Sequence, residues 1–148
     1  MAINTRKVVL GGVAAAVVMI VINILSQLML MDRMRREVNA FAPGATDRMS
    51  MGPGMIATRV IMTLVLGTML VWFYAAIRPR FGPGARTAAY VAIFMWIFGS
   101  LLYADYLFIG MMSAATWSLF AIIQLVNLWI ATWVGARIYT EDATPRAA

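Results

Sequence analysis

The sequence predicts an all-α fold, an integral membrane bundle of four transmembrane helices that makes one membrane domain of the 148 residues. Three observations carry that expectation. Of the residues, 63% are hydrophobic and 12% charged, against roughly 45–50% and roughly 25% in soluble domains. The apolar residues fall into four stretches, each at least as long as the roughly 20 residues a helix needs to cross a hydrocarbon core about 30 Å thick. Most of the charges gather between those stretches or at their ends.

The first span covers about 8–31. It holds no charge, has Asn23, Ser26 and Gln27 as its strongly polar residues, and ends in Asp32-Arg33-Met34-Arg35-Arg36. It exceeds the roughly 7–15-residue core of a cleavable signal and no small-residue cleavage site follows, so a retained anchor is expected. An outer loop, about 32–55, comes next. Its first part places Met34, Val38 and Phe41 at helical spacing opposite Arg33, Arg36 and Glu37, an amphipathic extension suited to the membrane surface. Pro43-Gly44 should end that pattern, and Met49-Ser50-Met51-Gly52-Pro53-Gly54-Met55 reads as irregular chain.

The second span covers about 56–77, with Arg59 in its first turn. The run Arg78-Pro79-Arg80-Phe81-Gly82-Pro83-Gly84 should stop it, because proline lacks a donor and disfavours helix in the residue before it. The short link that follows makes the third span, about 85–108, an antiparallel neighbour. Asp105 lies near its end, flanked by Tyr103 and Tyr106 as interfacial aromatics would be. Gly110-Met111-Met112-Ser113 is the next turn, and Ser113 is the expected N-cap of the fourth span, about 115–138.

The run Val71-Trp72-Phe73-Tyr74-Ala75-Ala76-Ile77-Arg78-Pro79-Arg80-Phe81-Gly82-Pro83-Gly84, with the opening Val9-Leu10-Gly11-Gly12-Val13-Ala14-Ala15, resembles a family of small four-span bacterial membrane proteins of no assigned activity. The resemblance implies the fold and a bacterial inner membrane, and transfers no activity. The chain differs from four-span multidrug exporters, which carry a glutamate in their first span; here that span has no acidic residue.

Orientation follows from arginine and lysine near the span ends. Arg6, Lys7, Arg78, Arg80, Arg86, Arg137 and Arg146 share one side, against Arg33, Arg35, Arg36, Arg48 and Arg59 on the other. This balance places both termini in the cytoplasm. Arg6, Lys7, Arg78, Arg80, Arg86 and Arg137 then form a basic collar for anionic lipid headgroups, each adding on the order of 1 kcal/mol. The net charge of +6 sits beside apolar runs and forms no separate basic domain, so membrane lipid rather than nucleic acid is the expected partner.

Chemistry is sparse. With no histidine and no cysteine, the chain has no imidazole acid or base, thiolate nucleophile, His-ligated metal or iron–sulfur cluster. Of the six acidic residues, Asp32, Glu37 and Asp47 stand beside arginines, which argues against a two-carboxylate hydrolase. No enzyme activity is expected.

The polar groups inside the spans are read as structural. Arg59 and Asp105 fall at similar depth, where an unpaired charge at mid-bilayer costs roughly 2.5–3.5 kcal/mol and less near the interface. They are expected to form an intramembrane ion pair clasping spans two and three; separate snorkelling, or a proton or ion site, are the alternatives. Gly11, Ala15, Met19, Asn23 and Gln27 repeat every four residues on one face. Gln124 and Asn127 share a face of span four at the depth of Asn23, so an interhelical Asn23–Gln124 or Asn23–Asn127 contact is expected. Its alternative is a polar cavity or an interfacial pigment or quinone; no cofactor is required, and bound lipid is expected. Thr63, Gly67, Val71 and Ala75 make a small-residue seam, and Gly99-Ser100 marks a close crossing or a local bend. Among 13 methionines, Met49-x-Met51-xxx-Met55, with Met29, Met31, Met34, Met111 and Met112 nearby, has spacing suited to copper(I); filling apolar gaps explains it more simply.

The function expected on this basis is that of a non-catalytic accessory or structural subunit packing against larger integral membrane partners, as in a respiratory or photosynthetic complex. The alternative is a small homo-oligomeric transporter or channel.

Overall fold

The computed structural model describes residues 3–48 and 52–139, with Arg48 described by its backbone alone. They form α1 (Thr5–Phe41), a 3₁₀ turn (Thr46–Arg48), α2 (Pro53–Phe81), α3 (Ala85–Phe108) and α4 (Ala114–Ile138), with no strand among the described residues. All four helices are long and apolar enough to cross a membrane. Met49, Met51 and Arg146 lie outside the described residues.

α1 begins where the Asn4 side chain accepts the Lys7 N–H at 3.1 Å, and its 37 residues reach about 55 Å. Residues 32–41 continue α1 without a break, so the start of the 32–55 stretch extends the first helix, as the helical spacing of Met34, Val38 and Phe41 predicts, rather than forming loop. Neither glycine nor proline occurs between Gly12 and Pro43, so no local breaker interrupts the helix. Its last bond runs from the Ala42 N–H to the Val38 carbonyl, at 2.8 Å. The Asn39 side chain then accepts the Thr46 hydroxyl at 2.9 Å and its N–H at 3.4 Å, folding the chain back.

α2 departs from expectation at both ends. It starts at Pro53, a first-turn position where the missing N–H costs nothing, so residues 53–55 are helical. It also runs through Pro79 to Phe81. A proline in the last turn forfeits one backbone bond, and the actual stop is Gly82, whose φ of 81° is open to glycine and costly for other residues. The Gly82 N–H bonds the Arg78 carbonyl at 2.8 Å. The three-residue turn to α3 is held by the Tyr74 hydroxyl, which accepts the Gly84 N–H at 2.9 Å, and by the Thr87 hydroxyl, which donates to the Gly82 carbonyl at 2.6 Å.

α1 lies at the centre, packed on α2 and α4, while α3 packs mainly on α4. Close approach depends on missing side chains. A Cβ on Gly11 would stand 2.7 Å from the Gly135 carbonyl oxygen, and one on Gly67 would stand 2.5 Å from the Gly12 carbonyl oxygen. Around these crossings Ala15, Ala16, Leu70, Val71, Ala88, Val91, Ala92 and Ala131 are fully buried. In lipid such packing holds helices through van der Waals contact rather than the hydrophobic effect. At Gly99, by contrast, a Cβ would meet nothing within 4 Å, which corrects the expectation of a close crossing there; α3 is helical throughout Ala85–Phe108.

The core is concentrated at one end. The buried residues of α2 are Gly67, Leu70, Val71, Tyr74 and Ala75, and those of α3 are Thr87, Ala88, Val91 and Ala92, all in the halves adjoining the α2–α3 turn. Phe73–Phe94 and Phe81–Tyr90 edge-to-face pairs, with centroids 5.3 and 5.4 Å apart, join the two helices there. Beyond them α2 is exposed from Gly52 to Met62, and no residue of α3 after Ala92 is buried.

Candidate functional site

Three polar places stand out against this apolar frame. The first is an amide cluster between α1 and α4. Asn23 Oδ1 accepts Asn127 Nδ2 at 3.0 Å and Gln124 Nε2 at 3.3 Å, and Asn127 Nδ2 also approaches Gln124 Oε1 at 3.4 Å. Residues three apart on a helix share a face, which lets Gln124 and Asn127 reach one acceptor. Asn127 is fully buried, and its Oδ1 has no hydrogen-bond partner among the described residues. Gln27, one turn along α1, is half-buried and takes no part in these bonds. The amide donors are bonded across the α1–α4 interface, as interhelical glue requires, while the Asn127 acceptor is left over.

The second place lies at the opposite end from the core. Ser113 caps α4, its hydroxyl accepting the Thr116 N–H at 3.2 Å. The Glu37 carboxylate of α1 accepts the Ser113 N–H at 3.0 Å, the Ser113 hydroxyl at 2.7 Å and the Thr116 hydroxyl at 2.6 Å. Arg33 Nε stands 3.6 Å from it. Glu37 is six residues past the apolar stretch that ends at Met31, about 9 Å of helix rise, and so lies outside the membrane span. Partial burial pushes its carboxyl up, but the hydrogen bonds from Thr116 and Ser113 and the Arg33 charge outweigh that, lowering it from 4.5 to about 2. The negative charge also faces the N-terminal end of a 25-residue helix, where it is favoured by the helix dipole. An open cleft lined by Phe41, Leu107, Met111 and Met112 adjoins this clasp.

The third place is a cavity of about 250 Å³ at the basic end, between the α2–α3 turn and the end of α4. Arg78 and Arg137 line it with Tyr74, Trp133 and Tyr139. The Arg78 guanidinium lies over the Tyr139 ring, 5.6 Å from its centroid, and Arg137 lies over Trp133 at 4.7 Å. Tyr139 in turn meets Tyr74 edge-on, with centroids 6.4 Å apart.

The expected Arg59–Asp105 ion pair is corrected. Among the described residues the ion pair present is Arg33–Glu37; none joins Arg59 to Asp105, and both are exposed. The reason is the packing. α2 and α3 meet near their turn, whereas Arg59 and Asp105 lie at the far ends of helices that lean on different partners. Of the collar, Arg6, Arg80, Arg86 and Arg137 are exposed and Lys7 and Arg78 half-buried. Arg86 Nε donates to the Tyr90 hydroxyl at 2.7 Å. Thr63 returns its hydroxyl to the Arg59 carbonyl at 2.8 Å. Met29 and Met55 are exposed, and Met31, Met34, Met111 and Met112 half-buried.

Sequence reasoning missed three groups. Helical spacing assigns Glu37 to a polar helix face, and nothing local announces a partner 76 residues away. Trp96 Nε1 donates to the Ala121 carbonyl at 2.7 Å, tying α3 to α4. The Trp133–Arg137 stack did have a signal, since residues four apart on a helix are neighbours. No protein-family profile, curated protein or solved structure matches the chain, so a functional reading rests on its own residues.

Proposed function

We propose that the chain is a non-catalytic accessory subunit of a larger integral membrane assembly, of the respiratory or photosynthetic kind, in a bacterial inner membrane with both termini in the cytoplasm. The observation that carries this reading is the uncovered outer part of α3. Phe98, Leu101, Leu102 and Tyr103 are 56–69% exposed, and no residue of α3 beyond Ala92 is buried. Lipid tails can cover such a face, but Asp105 stands exposed among these side chains. A carboxylate there gains from a donor or cation on another helix, which lipid tails do not supply.

The distribution of polar groups supports a packing role over a homo-oligomeric channel. The amides of Asn23, Gln124 and Asn127 bond one another, and the cleft at Glu37 and the cavity at Arg137 lie at opposite ends of the bundle. Lipid headgroups would meet the basic collar, and the role calls for no cofactor of the chain's own. The test is mild extraction from native membranes followed by native mass spectrometry. Larger subunits should co-purify in fixed ratio; a discrete assembly of this chain alone would replace the reading with the channel or transporter.

A further inference from the structure

We propose that the basic-end cavity is a binding site for the phosphate group of an anionic phospholipid, its acyl chains running along α4. Two guanidinium groups from different helices, Arg78 of α2 and Arg137 of α4, line one cavity, and among the described residues none that lines it is acidic. Each guanidinium carbon lies over an aromatic ring. Cation–π attraction holds both charges at the cavity wall, and the guanidinium is the group whose several N–H donors recognise phosphate. Gly84, the residue before α3, also lines the cavity. The positive end of a 24-residue helix therefore adds to the field of the two arginines.

Size and surroundings favour a lipid. A cavity of about 250 Å³ is smaller than the roughly 300–1,000 Å³ that encloses a drug-sized ligand, and it suits a headgroup phosphate whose chains stay outside. Trp133 forms one wall, and Val126, Trp129 and Trp133 are each 37–46% exposed. With Arg137 they follow one another at three- and four-residue spacing, an apolar stripe leading from the cavity into the bilayer. Basic pockets between transmembrane helices at a membrane face hold phospholipid headgroups in this way. The remaining collar residues Arg6, Lys7, Arg80 and Arg86 lie outside the cavity. This inference stands independently of the accessory-subunit reading.

The test uses the full chain, delipidated in neutral detergent and titrated with phosphatidylglycerol or with phosphatidylcholine of the same chains. Bound lipid is counted by native mass spectrometry and melting is followed by tryptophan fluorescence. Phosphatidylglycerol should bind and raise the melting temperature, and phosphatidylcholine should do neither. Arg78→Gln and Arg137→Gln should each weaken binding about fivefold, and Arg80→Gln, which removes the same charge outside the cavity, should leave it unchanged. Equal binding of both lipids, or an equal loss in Arg80→Gln, would overturn the site. Inorganic phosphate at matched ionic strength should not reproduce the stabilisation; if it does, the ligand is free phosphate and the lipid assignment fails. Should Arg78→Gln not fold, Arg137→Gln decides, because its side chain is exposed and its loss spares the core.

Discussion

Glu37 and Thr116, 79 residues apart in sequence, are joined by a 2.6 Å hydrogen bond from the threonine hydroxyl to the carboxylate. This bond and its two Ser113 companions fasten the far end of α1 to the start of α4. The ionised form makes the clasp, and the Glu37 carboxyl is accordingly lowered from 4.5 to about 2. A lowered folded value contributes stability above the unfolded value that is lost as pH falls towards the folded one. Melting in detergent should therefore be constant above about pH 5 and decline between about pH 4.5 and about pH 2. Glu37→Gln should melt lower at neutral pH and show a shallower decline; a variant with the wild-type slope would remove Glu37 as the source.

The backbone crossing of Gly11 and Gly135 yields a second expectation. Either residue changed to alanine places a Cβ less than 3 Å from a carbonyl oxygen of the other helix, and backbone cannot yield as a side-chain tip can. Overpacking of this kind costs typically 1–3 kcal/mol, so Gly11→Ala and Gly135→Ala should each lower the melting temperature measurably. Gly99→Ala is the control. Its Cβ meets open space, and replacing a helical glycine relieves up to about 1 kcal/mol. A stable Gly11→Ala variant would mean that α1 and α4 lie further apart than found here.

The amide cluster makes a graded prediction. Asn23 Oδ1 is the shared acceptor of two donors, so Asn23→Leu removes the shortest bond of the cluster, at 3.0 Å, whereas Gln124→Leu removes the longer contacts at 3.3 and 3.4 Å and leaves that bond in place. Interhelical bonds in membranes average about 0.6 kcal/mol and reach about 1.7. Unfolding in mixed micelles should rank Asn23→Leu as the costlier change, with an Asn23–Asn127 coupling of about 0.6 kcal/mol in a double-mutant cycle. Zero coupling would mean that the two amides do not bond.

These residues show where the sequence was readable and where it was not. Span number, the α3 and α4 limits and the Ser113 cap follow from local rules of hydropathy and capping, which act within a few residues. The Asn23–Gln124–Asn127 contact was legible because polar residues in an apolar helix are few and an antiparallel register fixes their depth. The pairing of Arg59 with Asp105 failed on the same depth argument. Equal depth does not make neighbours, and lateral placement depends on which helices share small faces; Gly12 with Gly67 and Gly11 with Gly135 draw α2 and α4 to α1 instead. Pro79 misled because a breaker acts on the bonds around it, and in a last turn few remain to break.

Asp105 gives the prediction that separates fold from assembly. Among the described residues it makes no ion pair, it is exposed, and its neighbours Leu101, Leu102, Tyr103 and Tyr106 are exposed with it. An exposed side chain that makes no ion pair within the described residues contributes little to the chain's stability, so Asp105→Asn should melt within about 0.5 kcal/mol of wild type in detergent. If the outer face of α3 is where a partner subunit packs, the carboxylate meets a donor or cation there. Its neutralisation should then lower the yield of co-purified partner from native membranes while leaving the isolated chain intact. Measuring both on one preparation separates the outcomes. A lower melting temperature with unchanged partner recovery would return Asp105 to the bundle as an internal clasp and take away this support for a partner on α3.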